Sequence, residues 1–289
     1  MFDGYLIDYG TFPKQGRAKF EAKSLDTKLE TVFPNMGMEG RLRKGLDLLT
    51  QEILGREYER EDGVAIRVGK CLIDANWGNS TDVVYNFCRE SQFAAILTPS
   101  HGKYYGAKSK PIAFQQRAAG ETYGHNWYYP SNRKTRAVRH IIYDTNYWKT
   151  FLYNRIQTKI GDSGCFTIFG DNTREHELLA EHLTSEYWTP TYGNERMVYE
   201  WSIRPKHTEN HWFDGIVGAC VAANEMGASR PDFTSVRSMP VKRMSFQSVA
   251  TKSGVGGYST TESNDRRNGN EEERSLSFQE LAQRALGAY

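Results

Sequence analysis

The chain has 289 residues, of which 38% are hydrophobic and 25% are charged, and its formal net charge is +2. These values are typical of a soluble globular protein of one or two domains with a sizeable core. The near balance of charge neither requires nor excludes a nucleic-acid partner. No segment approaches the roughly 18 continuous apolar residues of a membrane span, and the amino terminus lacks the pattern of a signal peptide. We therefore expect no membrane partner.

Two common kinds of site are absent from the sequence. The four cysteines form no CxxC pair, which predicts reduced thiols in a cytosolic protein and argues against a zinc site. No GxxxxGK[ST] phosphate loop occurs, so we expect no ATP site in this chain.

Segments with strand-like and helix-like periodicity alternate from residue 1 to about residue 229, as in α/β and α+β domains. The predicted strands are 4–9, 68–74, 94–97, 136–143, 165–169 and 196–203. The predicted helices are 40–58, 82–91, 145–159, 175–184 and a last helix that begins near residue 211. We expect these elements to form one domain, 1–229.

Asp74 ends the first long apolar segment and is followed at once by loop residues. It should therefore project from the carboxyl end of a strand. Open α/β sheets place their ligands and catalytic groups at that end of the strands.

Basic and aromatic residues are interleaved in the middle of the chain. The basic ones are Lys103, Lys108, Lys110, Arg133, Lys134 and Arg136, and Tyr104 and Tyr105 lie among them. Such a stretch could bind phosphates and stack on bases. A solvated loop explains the same pattern equally well.

Asp214 is the only acidic residue of the run 211–224, which is apolar around most of the circumference of a helix. A helix with that pattern is mostly buried. Because an isolated buried charge is too costly to keep, Asp214 should be paired, hydrogen-bonded or bound to a metal.

The composition changes beyond the predicted domain. Residues 230–273 are rich in Ser, Gly, Asn, Thr and charge, which predicts a disordered linker. Residues 275–286 could form a short amphipathic helix, which would be marginal alone. We expect 230–289 to be a disordered tail that ends in a docking helix.

The segment after Asp74, Asn-Trp-Gly-Asn-Ser-Thr-Asp-Val-Val-Tyr-Asn-Phe-Cys-Arg, resembles the segment after the second acidic position in lambda-type phage terminase large subunits. The match lies in the nuclease domain of those DNA-packaging proteins. Further matching segments are 144–149 (Asp-Thr-Asn-Tyr-Trp-Lys), 153–155 (Tyr-Asn-Arg), 164–169, 182–186 (His-Leu-Thr-Ser-Glu) and 210–214 (Asn-His-Trp-Phe-Asp). The resemblance covers roughly 4–226, with the segments in the family's order.

The resemblance implies an RNase H-like fold, a mixed sheet flanked by helices, in which aspartates hold two Mg²⁺ or Mn²⁺ ions. Asp74 and Asp214 would then be the catalytic metal ligands of an endonuclease that cuts double-stranded DNA. Two such ions activate water and stabilise the leaving oxygen, and they prefer carboxylate oxygens. His211 stands where the family has Glu, which leaves Asp214 intact.

The implied partners are double-stranded DNA, the terminase small subunit, the ATPase region and the procapsid portal, in the host cytoplasm. Two alternatives stay open. One is a non-catalytic DNA- and procapsid-binding fragment of the packaging motor. The other is a different RNase H-like nuclease of the resolvase or integrase type.

The amino terminus departs from the family pattern. Residues 4–10 resemble the family's third strand, so Asp8 is not expected to be the first catalytic acid. The chain would lack the first two strands and the preceding ATPase domain. We therefore expect poor stability and little nuclease activity from the chain alone. Robust cleavage abolished by Asp8→Ala would instead make Asp8 the third ligand.

Overall fold

The computed structural model describes residues 2–60, 62–131, 138–170, 172–206, 209–228 and 276–277. Three of the predicted DNA-binding residues, Arg133, Lys134 and Arg136, lie outside these ranges. The predicted disordered linker and most of the predicted docking helix lie outside them as well. No helix in the described ranges is long and apolar enough to cross a bilayer.

Helices and strands alternate through the described chain. The helices are α1 (Leu29–Val32), α2 (Met38–Leu54), α3 (Thr81–Glu90), α4 (Thr145–Gln157), α5 (Glu177–Thr184) and α6 (His211–Glu225). The strands are β1 (Gly4–Leu6), β2 (Tyr58–Glu59), β3 (Ala65–Ile66), β4 (Cys71–Asp74), β5 (Leu97–Lys103), β6 (Thr122–Tyr123), β7 (Trp127–Tyr129), β8 (Ile141–Asp144), β9 (Phe166–Ile168), β10 (Glu186–Gly193), β11 (Arg196–Ile203) and β12 (Leu276–Ser277).

The largest sheet has five strands in the order β4-β5-β8-β7-β6. β4, β5 and β8 are parallel to one another. β7 is antiparallel to β8, and β6 is antiparallel to β7. The α/β class with a mixed sheet flanked by helices is therefore confirmed. Register pairs Asp74 with Ser100 and Lys103 with Asp144, so the carboxyl ends of β4, β5 and β8 meet at one edge.

The two faces of this sheet bury different clusters. The larger cluster joins the sheet to α4 and α6 and includes Trp148 and Phe213, whereas the smaller joins it to α2 and α3. Leu72 of β4 packs on the larger cluster, and its neighbours Cys71 and Ile73 pack on the smaller one. Because side chains alternate along a strand, Asp74 points to the same face as Leu72. That face is the one covered by α4 and α6.

Three smaller sheets complete the described fold. β1 pairs in parallel with β9, β2 pairs with β3, and β10 pairs with β11 in a long antiparallel hairpin. β12 pairs antiparallel with β9. The predicted terminal helix is therefore wrong at Leu276–Ser277. A strand at these residues supplies hydrogen-bond partners to an edge of β9, where unpaired backbone groups would otherwise be left.

Candidate active site

Asp214 lies in the first turn of α6 and is paired. Its Oδ1 is 2.9 Å from Lys149 Nζ, and its Oδ2 accepts a hydrogen bond of 2.8 Å from Asn210 Nδ2. The helix is buried along much of its length, as expected, but the Asp214 side chain is 47% exposed. Its carboxylate is therefore accessible to solvent at the start of the helix rather than enclosed in the core.

A buried ion pair fixes the groups that hold Asp214. Lys149 Nζ lies 2.5 Å from Glu186 Oε1, and the two side chains are only 10% and 4% exposed. Asn210 Nδ2 also donates to Glu186 Oε1, at 2.6 Å. Glu186, the first residue of β10, thus orients both partners of Asp214. All three residues occur in segments that carry the family resemblance, and that was the signal by which the sequence could have identified them.

Asp74 ends β4, and within the described chain no cationic side chain lies within ion-pair distance of it. Its Oδ1 accepts a hydrogen bond from the backbone of Asn76, at 3.2 Å. The residue as a whole is exposed, but protein atoms around its carboxyl desolvate it and raise its pKa. A carboxylate in this setting would be stabilised by a cation.

The loop after Asp74 is held in place by side-chain contacts. Asn76 Nδ2 donates to the carbonyl oxygen of Gly102 at 3.2 Å, and Asn76 Oδ1 lies 2.9 Å from His101 Nδ1. The other ring nitrogen of His101 lies 2.8 Å from the Tyr85 hydroxyl. This chain of contacts ties the end of β4 to β5 and α3.

Tyr143 of β8 is buried in the larger cluster, on the face of the sheet that α6 covers. Burial raises the pKa of its hydroxyl, and the charges of Asp214 and Asp74 raise that pKa further. A Cβ at Gly102 would lie 3.1 Å from this hydroxyl, so the hydroxyl rests against β5. Asp74 and Asp214 are therefore both within electrostatic reach of one buried hydroxyl, on the same face of the sheet.

Asp74 and Asp214 lie on the same side of the sheet, and divalent cations such as Mg²⁺ or Mn²⁺ prefer oxygen ligands of this kind. Among the described residues, no group of three His, Cys, Asp or Glu side chains could hold a metal ion. Asp8 pairs instead with Arg56, in an open groove that α2 also lines. A two-ion site would therefore need ligands beyond Asp74 and Asp214.

Asp144 lies at the same sheet edge but is buried, and it caps α4. Its side chain accepts a hydrogen bond from the backbone nitrogen of Tyr147, at 3.1 Å. Burial raises the pKa of Asp144 to about 6. This cap fixes the start of the helix that carries Lys149.

Three of the predicted DNA-binding residues, Lys103, Lys108 and Lys110, are exposed near this edge. Lys103 ends β5, and the other two belong to the loop that follows. The hairpin of β10 and β11 orders this loop: Arg196 Nη2 donates to the carbonyl oxygen of Gly106 at 2.7 Å, and the carboxylate of Glu200 accepts from the backbone of Ala107 at 2.8 Å. The lysines thus lie on an ordered part of the surface.

Comparison with known proteins identifies the family. The family model described as "Terminase large subunit gpA, endonuclease domain" matches residues 6–233. A search of the curated proteins and a search of the solved structures give no significant match. The match spans most of the chain and includes both Asp74 and Asp214. The chain therefore belongs to the family of terminase large subunit gpA endonuclease domains.

Proposed function

We propose that this domain cuts double-stranded DNA for a phage packaging terminase, by two-metal hydrolysis of phosphodiesters with Mg²⁺ or Mn²⁺. One observation carries the proposal: Asp74 ends β4 at the carboxyl edge of the sheet and points to the face covered by α6, the helix that carries Asp214, although the two residues are far apart in the chain. Catalytic groups of open α/β sheets occupy this edge. Family membership supports the same reaction.

The roles of the residues follow from their contacts. Asp74 and Asp214 would hold the divalent ions, which when bound activate water and stabilise the leaving oxygen. Lys149, Asn210 and Glu186 orient Asp214 through the contacts described above. Further ligands for the second ion would come from outside the described residues.

DNA would approach along the exposed lysines and the neighbouring hairpin. Strand alternation places Trp188 and Tyr192 on the same face of β10 as Glu186, and both rings are exposed. This face begins at Glu186, which contacts the partners of Asp214, and it would offer aromatic surface to bases. Lys103, Lys108 and Lys110 would contact phosphates.

The other partners in the proposal follow from the family alone. They are the terminase small subunit, the ATPase region and the procapsid portal, met in the host cytoplasm. The proposed route to the portal is the segment 230–289, acting as a tether.

The test is DNA cleavage by the full chain with Mg²⁺ or Mn²⁺, at protein concentrations high enough to detect the low activity expected of the chain alone. Asp74→Asn and Asp214→Asn should each abolish cleavage, because each removes a charge that holds a cation. Asp8→Asn is the matched control and should leave cleavage unchanged, since Asp8 pairs with Arg56 away from these aspartates. Cleavage that survives Asp74→Asn and Asp214→Asn, or that Asp8→Asn abolishes, would contradict the assignment.

One observation favours a second candidate, a non-catalytic DNA- and procapsid-binding part of the motor. The described residues bring together no third acidic or histidine ligand. On this account the full chain binds duplex DNA with or without divalent ions and cuts it under neither condition. Family membership gives no support to a resolvase or integrase type of nuclease.

A further inference from the structure

A cavity of about 600 Å³, here called the α4 cavity, lies between α4, the β6–β7 hairpin and the end of α6. Its size falls within the range of about 300–1,000 Å³ typical of small-molecule sites. Its lining includes Tyr123, His125, Trp127, Tyr147, Phe151 and Arg155.

The α4 cavity is separate from Asp214 and the residues that hold it. Asn224 lies near the opposite end of α6 from Asp214, about 15 Å along the axis at about 1.5 Å per residue. Tyr147, Phe151 and Asn154 line the cavity at helical spacing and so share one face of α4. Lys149, which holds Asp214, is offset from that face.

Arg155 is the cation that lines this cavity, and the charge of Asp3 acts on it only from beyond ion-pair distance. Within the described chain, no carboxylate lies within ion-pair distance of its guanidinium, and its buried Nε atom has no hydrogen-bond partner. The guanidinium carbon lies 3.7 Å from the centre of the Phe151 ring. Burial lowers its pKa, which reflects the cost of keeping this charge away from water. An anionic ligand would offset that cost.

The walls of the cavity suit a flat ring. Tyr123, Trp127, Tyr147 and Phe151 contribute aromatic surface, and His125 Nε2 lies 2.5 Å from the Tyr147 hydroxyl. Aromatic side chains stack on nucleic-acid bases of any identity. The exposed Asn154 adds an amide that can both donate and accept hydrogen bonds. A cation beside aromatic rings matches a ligand that carries a phosphate and a base.

We propose that the α4 cavity binds a nucleoside phosphate, either free or at the end of a DNA strand, with the phosphate on Arg155 and the base against the aromatic wall. Asn154 and Arg155 belong to the Tyr-Asn-Arg segment, which has no role in the proposed cleavage site. The inference does not depend on metal binding by Asp74 and Asp214, and it can fail or hold independently of DNA cleavage.

Isothermal titration calorimetry of the full chain with dAMP, without divalent metal, tests the proposal. Arg155→Met should weaken dAMP binding at least about tenfold, since hydrogen bonds to charged groups are among the strongest. Arg43→Met is the matched control and should bind like the wild type, because Arg43 pairs with Glu90 on the surface. A 5′-phosphorylated dinucleotide that binds more tightly than dAMP would assign the site to strand ends, and weaker binding would assign it to free nucleotides.

Stability provides a second readout that separates binding from packing. Without ligand, Arg155→Met should unfold at a temperature no lower than the wild type, because it removes an unpaired and partly buried charge. A lower unfolding temperature together with unchanged dAMP binding would show that Arg155 only packs on Phe151, and would overturn the proposal. Wild-type protein that does not bind dAMP at millimolar concentration would also overturn it. If Arg155→Met does not fold, Asn154→Ala should weaken dAMP binding, and unchanged binding by that exposed variant would count against the site.

Discussion

Replacing Lys149 by Met removes a cation that pairs with both Glu186 and Asp214 and keeps an apolar side chain of similar length. Glu186 is 4% exposed, so the change leaves a buried carboxylate without its counter-charge. Breaking a buried ion pair in this way costs about 3–5 kcal/mol of unfolding free energy. For a domain of this size, at about 2–4 °C per kcal/mol, the melting temperature should fall by about 6–20 °C.

Urea and thermal unfolding followed by circular dichroism at pH 7 measure this loss. The double variant Lys149→Met with Glu186→Gln removes both buried charges and should recover much of the stability, so the two changes will not add. Lys44→Met is the control: its pair with Asp47 is exposed and should contribute less than about 1 kcal/mol. A loss below about 1 kcal/mol for Lys149→Met, or additive effects in the double variant, would refute the argument.

Three further predictions concern the same edge of the sheet. Burial raises the pKa of Asp144 to about 6, above its unfolded value of about 3.9, so its contribution to stability falls as pH rises from about 4 to about 6. Asp144→Asn keeps the helix cap. In thermal unfolding it should be more stable than the wild type at pH 8 but not at pH 4. An equal difference in stability between variant and wild type at the two pH values would contradict this prediction. Gly102→Ala places a Cβ 2.7 Å from Thr145 Cγ2, and it should lower the free energy of unfolding measured in urea by about 1–3 kcal/mol. In Gly69→Ala the new Cβ meets only the flexible end of Met226, so the loss of unfolding free energy should be smaller. For duplex DNA binding, the logarithm of the binding constant falls linearly with the logarithm of the salt concentration, and Lys103→Gln and Lys108→Gln should each reduce the magnitude of that slope by about one unit. An unchanged slope would assign these lysines to a solvated surface.

Local patterns in the sequence predicted several elements and part of the site. The strand-like pattern of residues 196–203 predicted β11 with its full bounds, and the helix predicted from residue 145 does begin at Thr145. Asp74 was placed at a strand end because an apolar run stops there, and β4 does end at Asp74. These features depend on neighbouring residues alone, which is why a single sequence reveals them.

Features that depend on distant residues were missed. β10 was not predicted. Its Pro190 is unusual within a strand, and it is tolerated here because a two-stranded hairpin leaves an edge on which no donor is needed. Of the strand predicted at 94–97, residues 94–96 form a turn, and Leu97 is the first residue of β5. The link from Asp214 through Lys149 to Glu186 joins three separate elements, so no local pattern could reveal it.

Binding of Mn²⁺, followed by electron paramagnetic resonance of the full chain, tests most directly whether Asp74 and Asp214 share a metal site. The wild type and Asp8→Asn should bind Mn²⁺ with equal affinity. Asp74→Asn and Asp214→Asn should each lose most of that binding, and combining them should add little, because both contribute to one site. Wild-type Mn²⁺ affinity in both single variants would contradict the shared site.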